Sequence, residues 1–60
     1  MQKLTARLDG QGIVEGQEYI IRALSIEDDG FFISSNARVE TPEGDVIDIR
    51  NAHLAFDLGL

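Results

Sequence analysis

The tripeptide Asp28-Asp29-Gly30 most constrains what this chain can fold into. It separates two segments rich in β-branched and aromatic residues, 19–26 and 31–35. An Asp-Gly pair between two such segments is among the strongest short-range signals for a β-hairpin, because both residues accept the backbone angles of a tight turn. The sequence therefore predicts two neighbouring antiparallel strands joined at residues 28–30.

A second hairpin is predicted after the first. Residues 38–41 lead through Pro42-Glu43-Gly44-Asp45 into residues 46–50. Proline suits the second position of a turn, and glycine suits a later one. In the strand that follows, alternation turns Ile47 and Ile49 toward the core.

The flanking segments predict further short elements. Residues 3–8 alternate as a half-buried strand does, and the glycine-rich segment 9–12 follows as a turn. Residues 13–14 fit either a short strand or a loop. Residues 51–53 predict a 3₁₀-like turn before a last short strand, 54–58, and a helix over 51–58 is the alternative.

Arg22 interrupts the apolar segment 19–26. Strict alternation places Ile20, Leu24 and Ile26 on one face of that strand, together with Arg22. We expect the Arg22 stem to pack on the surface while its guanidinium reaches water, and a β-bulge is the alternative.

Five or six short strands in hairpin order, a 3₁₀-like turn before the last strand and a length of 60 residues resemble the SH3-like small β-barrels. The residues that carry this resemblance are 19–50 and 51–58. It implies one all-β domain over residues 1–60, either a small SH3-like barrel or a strongly bent antiparallel meander. SH3 domains that bind proline-rich peptides use an aromatic groove, whereas this chain has no tryptophan and four other aromatic residues.

Charge and composition narrow the function. Eleven acidic and five basic residues give a net charge of −6, which repels nucleic-acid phosphates and anionic lipids. We therefore expect neither nucleic acid nor a membrane as partner, and a cytoplasmic location. The chain has no cysteine and one histidine, so we expect no disulfide, zinc site or cofactor.

Catalysis is not predicted. His53 is the only histidine, and Ser25, Ser34 and Ser35 are the serines it could activate, but no nucleophile motif surrounds any of them. We expect a protein that is not an enzyme.

The remaining candidate residues are the acidic side chains of the two hairpins and two adjacent phenylalanines. The predicted partner-binding set is Glu27, Asp28, Asp29, Phe31, Phe32, Glu40, Glu43, Asp45 and Asp48. Because neighbouring strand residues point to opposite faces, one phenylalanine is expected to be exposed as an anchor. The sequence predicts an acidic protein-binding module, an accessory subunit or a phage-type inhibitor, docking on a basic surface of a larger protein, for example one that handles nucleic acid.

Three alternatives stay open. The acidic residues could serve only solubility and the protection of strand edges. A barrel that binds single-stranded nucleic acid would stack bases on Phe31 or Phe32 and bind phosphates with Arg22, Arg38 and Arg50. A self-associating structural subunit, a homodimer, would use edge pairing and the apolar tail Leu54, Phe56, Leu58 and Leu60.

Overall fold

The computed structural model describes residues 2–59 and shows one antiparallel sheet with one short helix. The elements are β1 (Gln2–Thr5), β2 (Glu18–Asp28), β3 (Ile33–Glu40), β4 (Val46–Arg50) and α1 (Ala52–Ala55). The strands lie in the order β1-β2-β3-β4, each antiparallel to the next. The predicted all-β antiparallel class is confirmed. Over the described residues the sheet is open and not closed into a barrel, and it has four strands where five or six were predicted.

The two missing strands have local explanations. Ile13 makes only a single bridge, to Gly10, so residues 13–14 belong to a loop. Residues 54–58 were predicted as the last strand, but α1 replaces the expected 3₁₀ turn and takes up the start of this segment. Asn51 adopts a left-handed conformation with φ of 54°, which turns the chain back across the sheet directly after β4. The helical alternative, a helix over 51–58, is therefore confirmed only for Ala52–Ala55, because residues 56–58 are neither helix nor strand.

The core lies on one face of the sheet, under α1 and the loop 6–17. Its buried apolar residues are Ala6, Ile13, Tyr19, Ile21, Ala37, Val39, Ile49, Ala52, Ala55 and Phe56. The rings of Tyr19 and Phe56 meet edge to face, with centroids 6.1 Å apart. The Tyr19 hydroxyl also accepts a hydrogen bond from the Val14 backbone at 3.0 Å, so the loop is fixed to the same residue that anchors the helix end.

A β-bulge in β2 corrects the interpretation of Arg22. Ile21 lies opposite Val39 and Ala23 lies opposite Arg38, so Arg22 has no partner in the register. The extra residue shifts the alternation that follows. Beyond it, Leu24 lies opposite the buried Ala37, and therefore on the core face rather than on the opposite one as strict alternation predicted.

Both predicted hairpins are confirmed. The first joins Asp28 to Ile33 through the four residues 29–32, and the second joins Glu40 to Val46. Phe31 and Phe32 were expected to begin a strand and point to opposite faces. They lie in the turn instead, and both are exposed, because β3 begins only at Ile33.

The first hairpin extends beyond the rest of the sheet. β1 pairs with β2 only as far as Ile21, and β4 pairs with β3 only from Asn36 onward. Residues 22–36 therefore form an arm that β1 leaves uncovered, and its outer part, residues 26–35, has only two strands. The described chain measures 37 × 19 × 18 Å along its principal axes. Within residues 2–59, the single short helix falls well below the length needed to span a bilayer.

Candidate functional site

The structure divides the predicted acidic partner-binding set between two ends of the molecule. Glu27, Asp28 and Asp29 lie at the end of the arm, while Glu43 and Asp45 lie in the turn between β3 and β4. β3 separates the two groups, and its eight residues span about 23 Å at the usual rise of a strand. The predicted acidic set is therefore two separate acidic groups, and a partner can contact one of them without the other.

Two carboxylates of the predicted set are already engaged in ion pairs. Glu40 accepts a hydrogen bond from Arg22 at 2.5 Å, and Asp48 accepts one from Arg38 at 3.0 Å. Both pairs reach solvent and are individually weak, but each offsets a negative charge. The free acidic charge of the first hairpin therefore lies at the end of the arm.

Two aspartates build the turn at that end. The Asp28 carboxylate accepts the Gly30 backbone N–H at 2.9 Å. The Asp29 carboxylate accepts those of Phe32 at 2.8 Å and Phe31 at 2.9 Å. The Phe32 hydrogen bond, followed by that of Phe31, holds the pKa of Asp29 below its ordinary value. The turn is thus ordered by two carboxylates, and the lowered pKa keeps that of Asp29 ionised at neutral pH.

The same turn displays two aromatic side chains to solvent. Phe31 is 89% exposed and Phe32 is 77% exposed, the two highest values among the exposed large apolar side chains. We call Glu27, Asp28, Asp29, Phe31 and Phe32 the arm tip. Single exposed apolar residues are common, but two adjacent phenylalanines on an ordered projecting turn form a patch of the kind that marks a contact site.

An apolar face continues from the arm tip toward the core, and the sequence did not reveal it. Leu24, Ile26 and Ile33 are about two-fifths exposed, because α1 and the loop 6–17 do not extend over the arm. Alternation places Leu24 and Ile26 on one face, but the bulge at Arg22 hides from the sequence that this is the core face. Only the register of β2 against β3 could have identified it.

The structure does bring a serine and the histidine together. Ser35 Oγ accepts the His53 backbone N–H at 2.9 Å and lies 2.5 Å from His53 Nδ1. Ser35 is only 1% exposed, so a substrate carbonyl has no access to its hydroxyl. Ser25 and Ser34 are exposed on the arm instead. The Ser35–His53 pair attaches α1 to β3 and forms no nucleophile site.

Two surface grooves are candidates for ligand sites in the described part of the chain, and the smaller, about 290 Å³, lies between residues 17–20 and 40–42. A groove of about 510 Å³ crosses the solvent-facing side of the sheet between residues 23–25, 36–38 and 48–50, and it is open to solvent. Among residues 2–59, no three His, Asp or Glu side chains are grouped as metal ligands would be. The arm tip is therefore the candidate functional site.

Comparison with known proteins identifies no family. No protein-family model, no curated protein and no solved structure matches the chain.

Proposed function

We propose that this chain is a non-enzymatic protein-binding module and that its arm tip inserts into an apolar pocket of a larger protein, rimmed by lysine or arginine. The observation that carries the proposal is the exposure of Phe31 and Phe32, 89% and 77%, on an ordered turn. Aromatic side chains that fill a partner's pocket dominate the binding energy of many interfaces.

The turn makes these aromatics effective anchors. A phenylalanine buries about 150–250 Å² when it enters a pocket, so two of them supply a large share of a small interface. Asp28 and Asp29 hold the turn through three backbone hydrogen bonds. A turn that is already ordered loses less conformational entropy on binding, which raises affinity.

Charge supports a basic partner. Glu27, Asp28 and Asp29 precede the phenylalanines in the same turn region, and the whole chain carries a net charge of −6. An acidic tip on an acidic protein steers toward a positively charged surface and speeds encounter, an effect that salt weakens. Asn replacements at Asp28 and Asp29 should therefore slow association more than they accelerate dissociation.

This proposal keeps the role expected from the sequence, an accessory subunit or phage-type inhibitor of a larger protein, for example one that handles nucleic acid. Its support is the arm tip, and it does not require the SH3-like resemblance, which stays an architectural hypothesis. A cytoplasmic location also stays a prediction from the sequence.

The nucleic-acid alternative has less support. Of the three arginines assigned to phosphates, Arg22 and Arg38 make ion pairs with Glu40 and Asp48. A nucleic acid would have to compete with these carboxylates and approach a chain of like charge.

Site-specific photocrosslinking in cells of the source organism tests the proposal. Phe31→p-benzoylphenylalanine places the crosslinker at the arm tip, and Val14→p-benzoylphenylalanine is the matched control, because Val14 is 60% exposed on the loop 6–17, away from the arm. The proposal predicts one protein adduct that forms from position 31 and is absent from position 14. Equal adducts from both positions, or none from position 31, would overturn it.

A further inference from the structure

Among residues 2–59, no strand pairs with the outer edge of β2 along the arm. β1 covers β2 only from Glu18 to Ile21, so among the described residues no strand lies outside residues 22–28. A long edge without proline is a template for pairing with another chain. Its central residues are Leu24, Ser25 and Ile26, and the two phenylalanines of the arm tip lie beyond its end.

Two backbone hydrogen bonds show which groups of this edge are free. Asp29 donates its N–H to Phe32 across the turn, and the Ser35 carbonyl accepts Asn51, on the side of β3 away from β2. Peptide groups along an antiparallel ladder point alternately toward and away from the partner strand. Ser25 and Glu27 therefore bond to β3, while the N–H and C=O groups of Leu24 and Ile26 point outward.

Two copies of this edge can pair with each other in antiparallel orientation. In an antiparallel pair centred on Ser25, Leu24 of each copy lies opposite Ile26 of the other. These are the residues whose peptide groups point outward, so both can form ladder hydrogen bonds across the two-fold axis. In a register displaced by one residue, peptide groups that point outward would lie opposite peptide groups that point toward β3, and these ladder hydrogen bonds would be lost.

The side chains match in the same register. Leu24 and Ile26 are 44% and 39% exposed on the core face, and the pairing brings both copies of each together as an apolar cluster. On the other face, Ala23 lies opposite Glu27 of the second copy, so that carboxylate comes beside Arg22. No like charges face each other between residues 22 and 28.

We propose that a second copy of this chain pairs with the β2 edge, in an antiparallel register centred on Ser25, to give a two-fold dimer with a continuous sheet. The symmetry is closed, so association stops at two copies. This dimer does not depend on the proposed function, because Phe31 and Phe32, which carry that function, lie outside the paired residues 22–28.

A single cysteine at the axis tests the register directly. The chain has no cysteine, and Ser25 would face itself as a non-hydrogen-bonded pair with Cα atoms about 4.5 Å apart, within the range of a disulfide. Ser25→Cys should form a disulfide-linked dimer under mild oxidation at least tenfold faster than Ser34→Cys. Ser34 is the matched control, because it is also exposed but lies on β3, the next strand away from the two-fold axis.

Sedimentation equilibrium over a range of concentrations tests the association itself. The native chain should show a reversible monomer–dimer equilibrium. Glu27→Lys should weaken it at least tenfold by placing a lysine beside Arg22 of the other copy, while Glu43→Lys, the same charge change in the opposite turn, should not. A monomer at millimolar concentration, equal effects of both lysines, or equal oxidation rates of the two cysteine variants would overturn the proposal.

Discussion

Ser35 and His53, eighteen residues apart, satisfy each other's hydrogen bonds at the junction of β3 and α1. The Ser35 hydroxyl oxygen accepts the His53 backbone N–H at 2.9 Å, and the hydroxyl also forms a hydrogen bond of 2.5 Å with His53 Nδ1. Asn51, before the helix, makes no side-chain cap. A serine from a neighbouring strand thus takes the role that a helix N-cap residue normally has.

Removing this hydroxyl should destabilise the fold. Ser35→Ala leaves the His53 N–H and Nδ1 without their partner, which costs about 1–3 kcal/mol for buried groups. Ser34→Ala, at the exposed neighbouring position, should change the free energy of unfolding by less than about 0.5 kcal/mol. Urea denaturation of both variants measures the difference, and equal midpoints would contradict this role.

Arg7 should also contribute to stability, through two carbonyls at the other end of the helix. Its Nη2 donates to the His53 oxygen at 2.6 Å and to the Phe56 oxygen at 2.9 Å. Arg7→Ala should cost about 1–2 kcal/mol, since hydrogen bonds from a charged donor are the stronger kind. Arg38→Ala removes an exposed ion pair with Asp48 and should cost less than about 1 kcal/mol. Thermal unfolding should therefore show the larger decrease for Arg7→Ala.

The turn at the arm tip should depend on pH through Asp29. Its pKa is lowered in the folded chain, first by the Phe32 N–H and then by that of Phe31. The folded pKa lies below the unfolded one, so the stabilisation is present above the unfolded value of about 3.9 and is lost as pH falls through the folded value. The amide NMR signals of Phe31 and Phe32 should shift together in that acidic range. A midpoint above the ordinary value for aspartate would contradict these contacts.

The two hairpins could be predicted from sequence because their turns are local signals. Asp28-Asp29-Gly30 and Pro42 to Asp45 specify where the chain reverses, and the alternation of Ile47 and Ile49 specifies which face of β4 is buried. Ile49 is 1% exposed, as that alternation requires.

The bulge, the helix and the arm could not be predicted in this way. Nothing in the residues around Arg22 distinguishes a bulge from a strand with one outward arginine. α1 is too short to be stable alone and depends on Ala52 and Ala55 packing against the sheet. The arm lies beyond the last described pairs of β1 and β4, Gln2 with Ile21 and Arg50 with Asn36, and the sequence pattern does not reveal this register.

Single-stranded nucleic acid should not bind this chain. Mixed-sequence RNA and DNA titrated at low salt, where phosphate-driven binding is strongest, should give no signal at about tens of micromolar protein. Binding that weakens steeply with added salt would favour the nucleic-acid alternative over the protein-binding module.

The central claim is that Phe31 and Phe32 anchor a partner. The most direct test compares three baits: the native chain, the double variant Phe31→Ser and Phe32→Ser, and Val14→Ser as a control. Each bait is incubated with nuclease-treated lysate of the source cell, and quantitative mass spectrometry identifies the proteins that it retains. Both phenylalanines are exposed, so the double variant should keep the native circular dichroism spectrum. One protein should be retained by the native and Val14→Ser baits and lost with the double variant. The purified native chain should bind this protein at least a hundredfold more tightly than the double variant does. The same proteins retained by all three baits would contradict it.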